Sequence, residues 1–142
     1  MVAKLSIISL LAITFLSSCQ DKPLFSKLDA NDTGIDFSNR IIENDTLNIL
    51  DFEYVYNGGG VGIADMNGDS LPDVVFSGNQ ADSRLYLNKG EIQFENVSTK
   101  AGISNLGRWC SGVSLVDINA DGRMDIYLTA TTKGSEAQRA NL

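Results

Sequence analysis

The sequence predicts an all-β chain built from repeated four-stranded units, each carrying an oxygen-rich loop between its first two strands. Three observations lead there. Two nine-residue loops, at 65–73 and 117–125, place Asp or Asn at positions 1, 3, 5 and 9, and they lie 52 residues apart. Both are flanked by runs of about five β-branched and aromatic residues bounded by Gly and Asp. The surrounding pattern repeats with a period of about 50 residues, the size of one propeller blade.

The elements follow in order. Residues 1–18 read as a signal peptide: Lys4 supplies a minimal positive start, and positions 5–16 form an apolar core too short to span a bilayer. The core ends in Leu16-Ser17-Ser18-Cys19, which resembles a bacterial lipobox, and this implies acylation of Cys19. Buried lipid methylenes, each worth about 0.8 kcal/mol, would then hold the chain at a membrane. Residues 19–50 read as a lipidated tether followed by the first strands, with Phe25, Leu28, Ile35 and Phe37 expected to dock on the blades. Tyr54 and Tyr56 alternate with Val55 and suggest a strand ahead of Gly58-Gly59-Gly60. That triple glycine lacks the Lys-Ser/Thr and helix of a phosphate cradle, so it is expected to be a turn.

Residues 51–142 are expected to be blades. Gly60-Val61-Gly62-Ile63-Ala64 and Val74-Val75-Phe76 bracket the first loop. Gly112-Val113-Ser114-Leu115-Val116 and Ile126-Tyr127-Leu128-Thr129 bracket the second. Between them, the runs Ser83 to Gly90 and Gln93 to Val97 read as two further strands separated by an Asn88-Lys89-Gly90 turn. The connector Thr99-Lys100-Ala101-Gly102-Ile103 repeats the Gly-Ile ending of Asn31-Asp32-Thr33-Gly34-Ile35. Arg139-Ala140-Asn141-Leu142 looks like the start of another strand. The expectation is therefore about two four-stranded blades plus part of another, a fragment of a larger propeller. Such a fragment leaves sheet faces and edges uncovered and should be poorly stable or oligomeric alone.

The loops carry the chemistry. In the first, the candidate ligands are Asp65, Asn67, Asp69 and Asp73 with the carbonyl of Leu71 at position 7. In the second they are Asp117, Asn119, Asp121 and Asp125 with the carbonyl of Arg123. Oxygens on alternate residues suit Ca2+, which takes six to eight of them at about 2.3–2.6 Å. An all-oxygen set disfavours zinc and copper, and Mg2+ demands stricter geometry and retains waters. A metal-free acidic turn is the plainer alternative for a single loop, but two in the same register favour metal binding. An EF-hand is disfavoured because position 12 is Phe76 in one copy and Leu128 in the other, and because the flanks read as strands. Pro72 suits the strand start, and position 6 is Gly122 in one copy but Ser70 in the other.

The stretch Tyr56-Asn57-Gly58-Gly59-Gly60-Val61-Gly62-Ile63-Ala64-Asp65-Met66-Asn67-Gly68-Asp69 resembles FG-GAP/VCBS repeats. So do Leu85-Tyr86-Leu87-Asn88-Lys89-Gly90 and the run from Gly112 to Gly122. The chain is most similar to bacterial lipoproteins that carry these repeats ahead of an ASPIC/UnbV-type domain, related to the cartilage acidic protein group. The resemblance implies a calcium-binding β-propeller, often seven-bladed. Residue roles transfer only at the metal loops.

Composition narrows the function. The formal charge is −7, and loss of Lys4 with the signal peptide makes it −8, which argues against nucleic-acid binding. There is no His, which removes Ser-His and Cys-His nucleophile systems. With Cys19 lipidated, Cys110 has no intrachain partner, so a disulfide framework is excluded. The expected function is a lipid-anchored extracytoplasmic binding or scaffold module with structural Ca2+, at the outer membrane or cell surface. Its partner would be an envelope glycan or protein. The alternative is the N-terminal part of an envelope enzyme acting on polysaccharide, with its catalytic residues downstream. A helical calcium sensor of EF-hand or dockerin type is the third reading.

Overall fold

Strands form where β-branched and aromatic residues alternate between Gly and Asp punctuation. In the computed structural model, which describes residues 23–131, six strands result. β1 (Val61–Ala64), β2 (Asp73–Phe76), β3 (Arg84–Asn88) and β4 (Phe94–Asn96) make one antiparallel sheet in sequence order, and β5 (Cys110–Val116) pairs antiparallel with β6 (Asp125–Ala130). The described residues are thus all-β apart from a helical turn, Ala30–Thr33, capped by Asp29 and closed by Gly34 in the left-handed conformation.

Register fixes the faces. Val61 pairs with Phe76, Ile63 with Val74, and Val74 with Tyr86, so these side chains share one face of the first sheet. Gly62, Val75 and Leu85 share the other. The second sheet lies on that second face. A β-carbon placed on Gly62 would stand 2.8 Å from Val113 Cγ1 and 2.9 Å from Leu115 Cδ1. At Gly60 it would stand 2.7 Å from the Val113 nitrogen, so the two backbones approach too closely for any side chain there. Buried Val75, Leu85, Cys110 and Leu128 belong to this core.

The first face is crossed by an extended strap, residues 34–42, in which Ile35, Phe37, Asn39 and Ile41 are the less exposed positions. Phe37 stacks on Phe76 with centroids 4.9 Å apart. Tyr86 donates its hydroxyl to Asp36 Oδ1 at 2.6 Å; burial first, and this acidic partner second, push the phenol up to about 12. Asn39 and Asn79 exchange two hydrogen bonds, of 2.6 and 2.9 Å.

The strands expected around both loops and between them are present. Two expectations are corrected. The first strands expected within residues 19–50 do not form over 23–50, where the helical turn, the strap and an isolated Asn44–Leu47 bridge stand instead. Of the residues expected to dock, Phe37 does so, whereas Phe25 and Leu28 are 86% and 53% exposed. Tyr54-Val55-Tyr56 is not a strand: Phe52, Val55 and Asn57 donate N–H bonds to Asn48, Phe52 and Tyr54, closing successive turns that bury Val55. The signal peptide, Cys19 and Arg139-Ala140-Asn141-Leu142 lie outside the described residues.

Candidate functional site

Both metal-type loops span strands rather than helices, β1–β2 in one copy and β5–β6 in the other, which removes the EF-hand geometry. They sit at the same end of the molecule, because β1 and β5 lie side by side and run the same way.

The two loops share one internal bonding pattern. Asp65 Oδ1 accepts the Asp69 N–H at 3.2 Å and Asp65 Oδ2 accepts the Ser70 N–H at 2.8 Å. Asp117 accepts the Asp121 and Gly122 N–H groups at 3.0 and 2.8 Å in the same way. Asn67 Oδ1 accepts from Asp69, and Asn119 Oδ1 from Asp121, both at 3.0 Å. Asp69 Oδ1 takes the Leu71 N–H at 2.8 Å, and Asp121 Oδ1 takes that of Arg123 at 2.9 Å. Asp73 Oδ2 reaches back to the Met66 N–H at 2.8 Å, and Asp125 Oδ2 to that of Ile118 at 3.0 Å. Sequences that differ at five of nine positions therefore fold into one loop, because the shared spacing of acceptors dictates which N–H groups they can reach.

Backbone strain is shared differently between the copies. Positions 4 and 6 both have positive φ: Gly68 at 81° and Ser70 at 69° in one loop, Ala120 at 58° and Gly122 at 83° in the other. Each loop thus places glycine at one left-handed position and tolerates a side chain at the other. The absence of Gly at position 6 in the first copy is matched by its presence at position 4.

Asp73 is fully buried, and its Oδ1 accepts the Asn88 N–H at 2.8 Å, which ties the first loop to β3. The backbone N–H of Ser70, with those of neighbouring loop residues, holds the Asp65 carboxyl below its usual range. Arg123, 3.1 Å from Asp121, does the same for that residue. Glu95 raises Lys89, with smaller contributions from Asp69 and Asp73, so one cation already stands near the first loop.

The donor set of each loop, three carboxylates, one amide oxygen and a position-7 carbonyl, fits a hard divalent ion. The carboxylates are held by backbone N–H bonds rather than gathered, and among the described residues no three acidic, Cys or His side chains form a metal cage as they stand. Each ionised carboxylate has about four acceptor sites, so these bonds leave lone pairs for an ion.

At the opposite strand ends lies a buried polar cluster that the sequence reading passed over. Asn105 Oδ1 accepts the Ser83 N–H and hydroxyl at 2.9 and 2.6 Å, while its Nδ2 donates to the Gly78 and Ala81 carbonyls at 2.6 and 2.9 Å. Asn79 Nδ2 donates to the Gly58 and Cys110 carbonyls. Nothing in the local sequence marks these residues, since their partners lie 21 to 31 positions away. Cys110 is buried and free, and burial raises its thiol.

Comparison with known proteins agrees with the repeat. A family model described as FG-GAP-like repeat matches residues 54–128, from the turn before β1 into β6. Cartilage acidic protein 1 of Xenopus tropicalis is 28% identical over 72 residues, which cover 50% of this chain but 11% of that protein. No solved structure matches. The match spans more than half of the sequence and both loops with their flanking strands, and the chain belongs to the FG-GAP-like repeat family.

Proposed function

We propose that the chain is a lipid-anchored, extracytoplasmic binding or scaffold module whose propeller-type blades are held together by structural Ca2+. The observation that carries the metal reading is the duplication: two loops 52 residues apart share donor positions, hydrogen-bond pattern and paired left-handed residues. Asp65, Asn67, Asp69, Asp73 and the Leu71 carbonyl would hold one ion. Asp117, Asn119, Asp121, Asp125 and the Arg123 carbonyl would hold the other. The ion would neutralise carboxylates that otherwise repel and would tie each loop's two strands together.

The propeller reading is supported by the packing of equivalent residues. Val113 and Leu115 are half-buried against the Gly62 face of the first sheet. Their counterparts 52 residues earlier, Val61 and Ile63, are 58% and 66% exposed. One repeat unit thus receives its neighbour on one face and leaves the β1 edge of the other, strap-crossed face uncovered, which fits head-to-tail packing. Cys19 would anchor the module in a bacterial outer membrane or cell surface, with an envelope glycan or protein as partner. FG-GAP-like repeats are generally non-enzymatic, and the acidic charge speaks against nucleic acid.

Calcium titration of the chelated protein tests the reading. Free Ca2+ at about 100 times Kd should add roughly 2.7 kcal/mol per site. That corresponds to a rise in melting temperature of about 10 °C. The double variant Asp65→Ala, Asp117→Ala should lose the rise, and its absence in the unaltered protein would refute structural calcium.

A further inference from the structure

Turns in an antiparallel sheet alternate between its two ends, so the β3–β4 turn stands at the same end as the first metal loop. Lys89, in that turn, accordingly feels Asp69 and Asp73. Apolar side chains are exposed at this end. Ile92, at the tip of the turn, is 55% exposed. Its backbone is left-handed, with φ of 61°, as is that of Glu91, with φ of 51°. A β-branched residue in that region is an outlier, and such outliers cluster at sites that bind. Leu28, 53% exposed, lines with Ile92 an open pocket of ≈ 460 Å³, in which Lys27, Asp29, Ile35 and Phe94 also take part. Phe25 and Leu24, three and four residues before Leu28, are 86% and 89% exposed. Ile118 and Met124 are exposed in the second metal loop, at the same end.

Apolar side chains are also exposed at the opposite strand ends, Leu106 among them. The position of Cys19 chooses between the two. Cys19 stands four residues before Pro23, where the described chain begins. Four extended residues reach about 14 Å at most. Acyl chains on Cys19 would therefore bring a bilayer surface to Leu24, Phe25 and Leu28 before any other described part of the molecule.

We propose that this end is a membrane seat: Leu24, Phe25, Leu28 and Ile92 enter the interface of a phospholipid bilayer and hold the anchored module in one orientation, metal loops toward the lipid. Apolar side chains on an interfacial surface sink roughly 5–10 Å into the boundary between headgroups and acyl chains. Lys27 lays its stem along the apolar surface and turns its ammonium to the phosphates. Asp29 and Glu91 stand at the same rim, so the charge is mixed and apolar burial carries the contact. The inference deepens the anchored-module reading and rests on acylation of Cys19, but the contact itself is made by other residues.

The test uses the full chain, produced in a bacterium that processes lipoproteins, with the mass of its N-terminal peptide reporting acylation. The protein is reconstituted in saturating calcium into phosphatidylcholine vesicles, with or without brominated acyl chains. Leu28→Trp and Ile92→Trp each add an indole to the buried Trp109, the single tryptophan. Brominated lipid should remove most of the added emission in both variants. Leu106→Trp, at the far end, and the unaltered protein should lose none. Quenching in neither Leu28→Trp nor Ile92→Trp, with Cys19 acylated, would overturn the seat and leave the anchor standing. Chemical cross-linking of neighbouring copies through Lys27 in that unquenched protein would give the surface to a second copy instead. Leu106→Trp quenched as strongly as Leu28→Trp would overturn the fixed orientation, and with it the proposal. An unmodified Cys19 would end the anchor reading and the seat together.

Discussion

Replacing Asn105, in the connector between the two sheets, should unfasten the β2–β3 loop from that connector. Its side chain is 2% exposed and makes four hydrogen bonds that join the Gly78–Ser83 loop to the connector ahead of β5. Asn105→Ala strands the buried Ser83 N–H, whereas the Gly78 carbonyl keeps the Cys110 N–H at 3.1 Å. The Ser83 hydroxyl can rotate, and the Ala81 carbonyl is only part-buried, so neither adds its full cost. One stranded group costs about 1–3 kcal/mol, so a loss of about 2 kcal/mol is expected. Asn105→Leu fills the space but leaves the same N–H stranded, so it should lose a similar amount. Urea unfolding followed through Trp109 emission measures both, the midpoint falling with the slope unchanged. A loss below about 1 kcal/mol in both variants would refute the argument that the amide is the bridge.

Other outcomes follow from the same contacts. Gly60→Ala would set a β-carbon 2.7 Å from the Val113 backbone nitrogen and 3.0 Å from Gly112 Cα, so the sheets must separate. A loss of about 1–3 kcal/mol is expected in urea unfolding. The pH dependence has a definite sign: Asp65 and Asp121 are held below their usual range, so their contribution is present above the unfolded-state value, about 3.9, and is lost as pH falls through the lower folded-state values. In calcium-free buffer Asp65→Asn should flatten the acid limb of a melting-temperature profile. An unchanged limb would show that the loop N–H groups do not stabilise the ionised carboxyl.

The six strands and both loops were legible in the sequence because each depends on local spacing: acceptors on alternate residues make the loop, and β-branched residues between Gly and Asp make its walls. Tyr54-Val55-Tyr56 shows where that local logic breaks. An alternating pattern of burial also arises from consecutive tight turns, and only the Asn48, Phe52 and Tyr54 carbonyls distinguish the two. The strap and the Asn79–Asn105 cluster were hidden for the opposite reason. Their partners are distant in sequence: the docking of Phe37 was legible from its apolar character, but not that it would stack on Phe76, and no asparagine announces what it will touch.

The strap has a bearing on how the chain comes to be ordered. Asp36, Asn39 and Ile42 are held by Tyr86, Asn79 and Gln80, from 38 to 50 residues further on. Made early in synthesis, this segment has nothing to grasp until the first sheet exists, and closing such long loops is entropically expensive. It therefore settles late, as a latch across a finished surface, and the earliest part of the described chain waits on what is made after it.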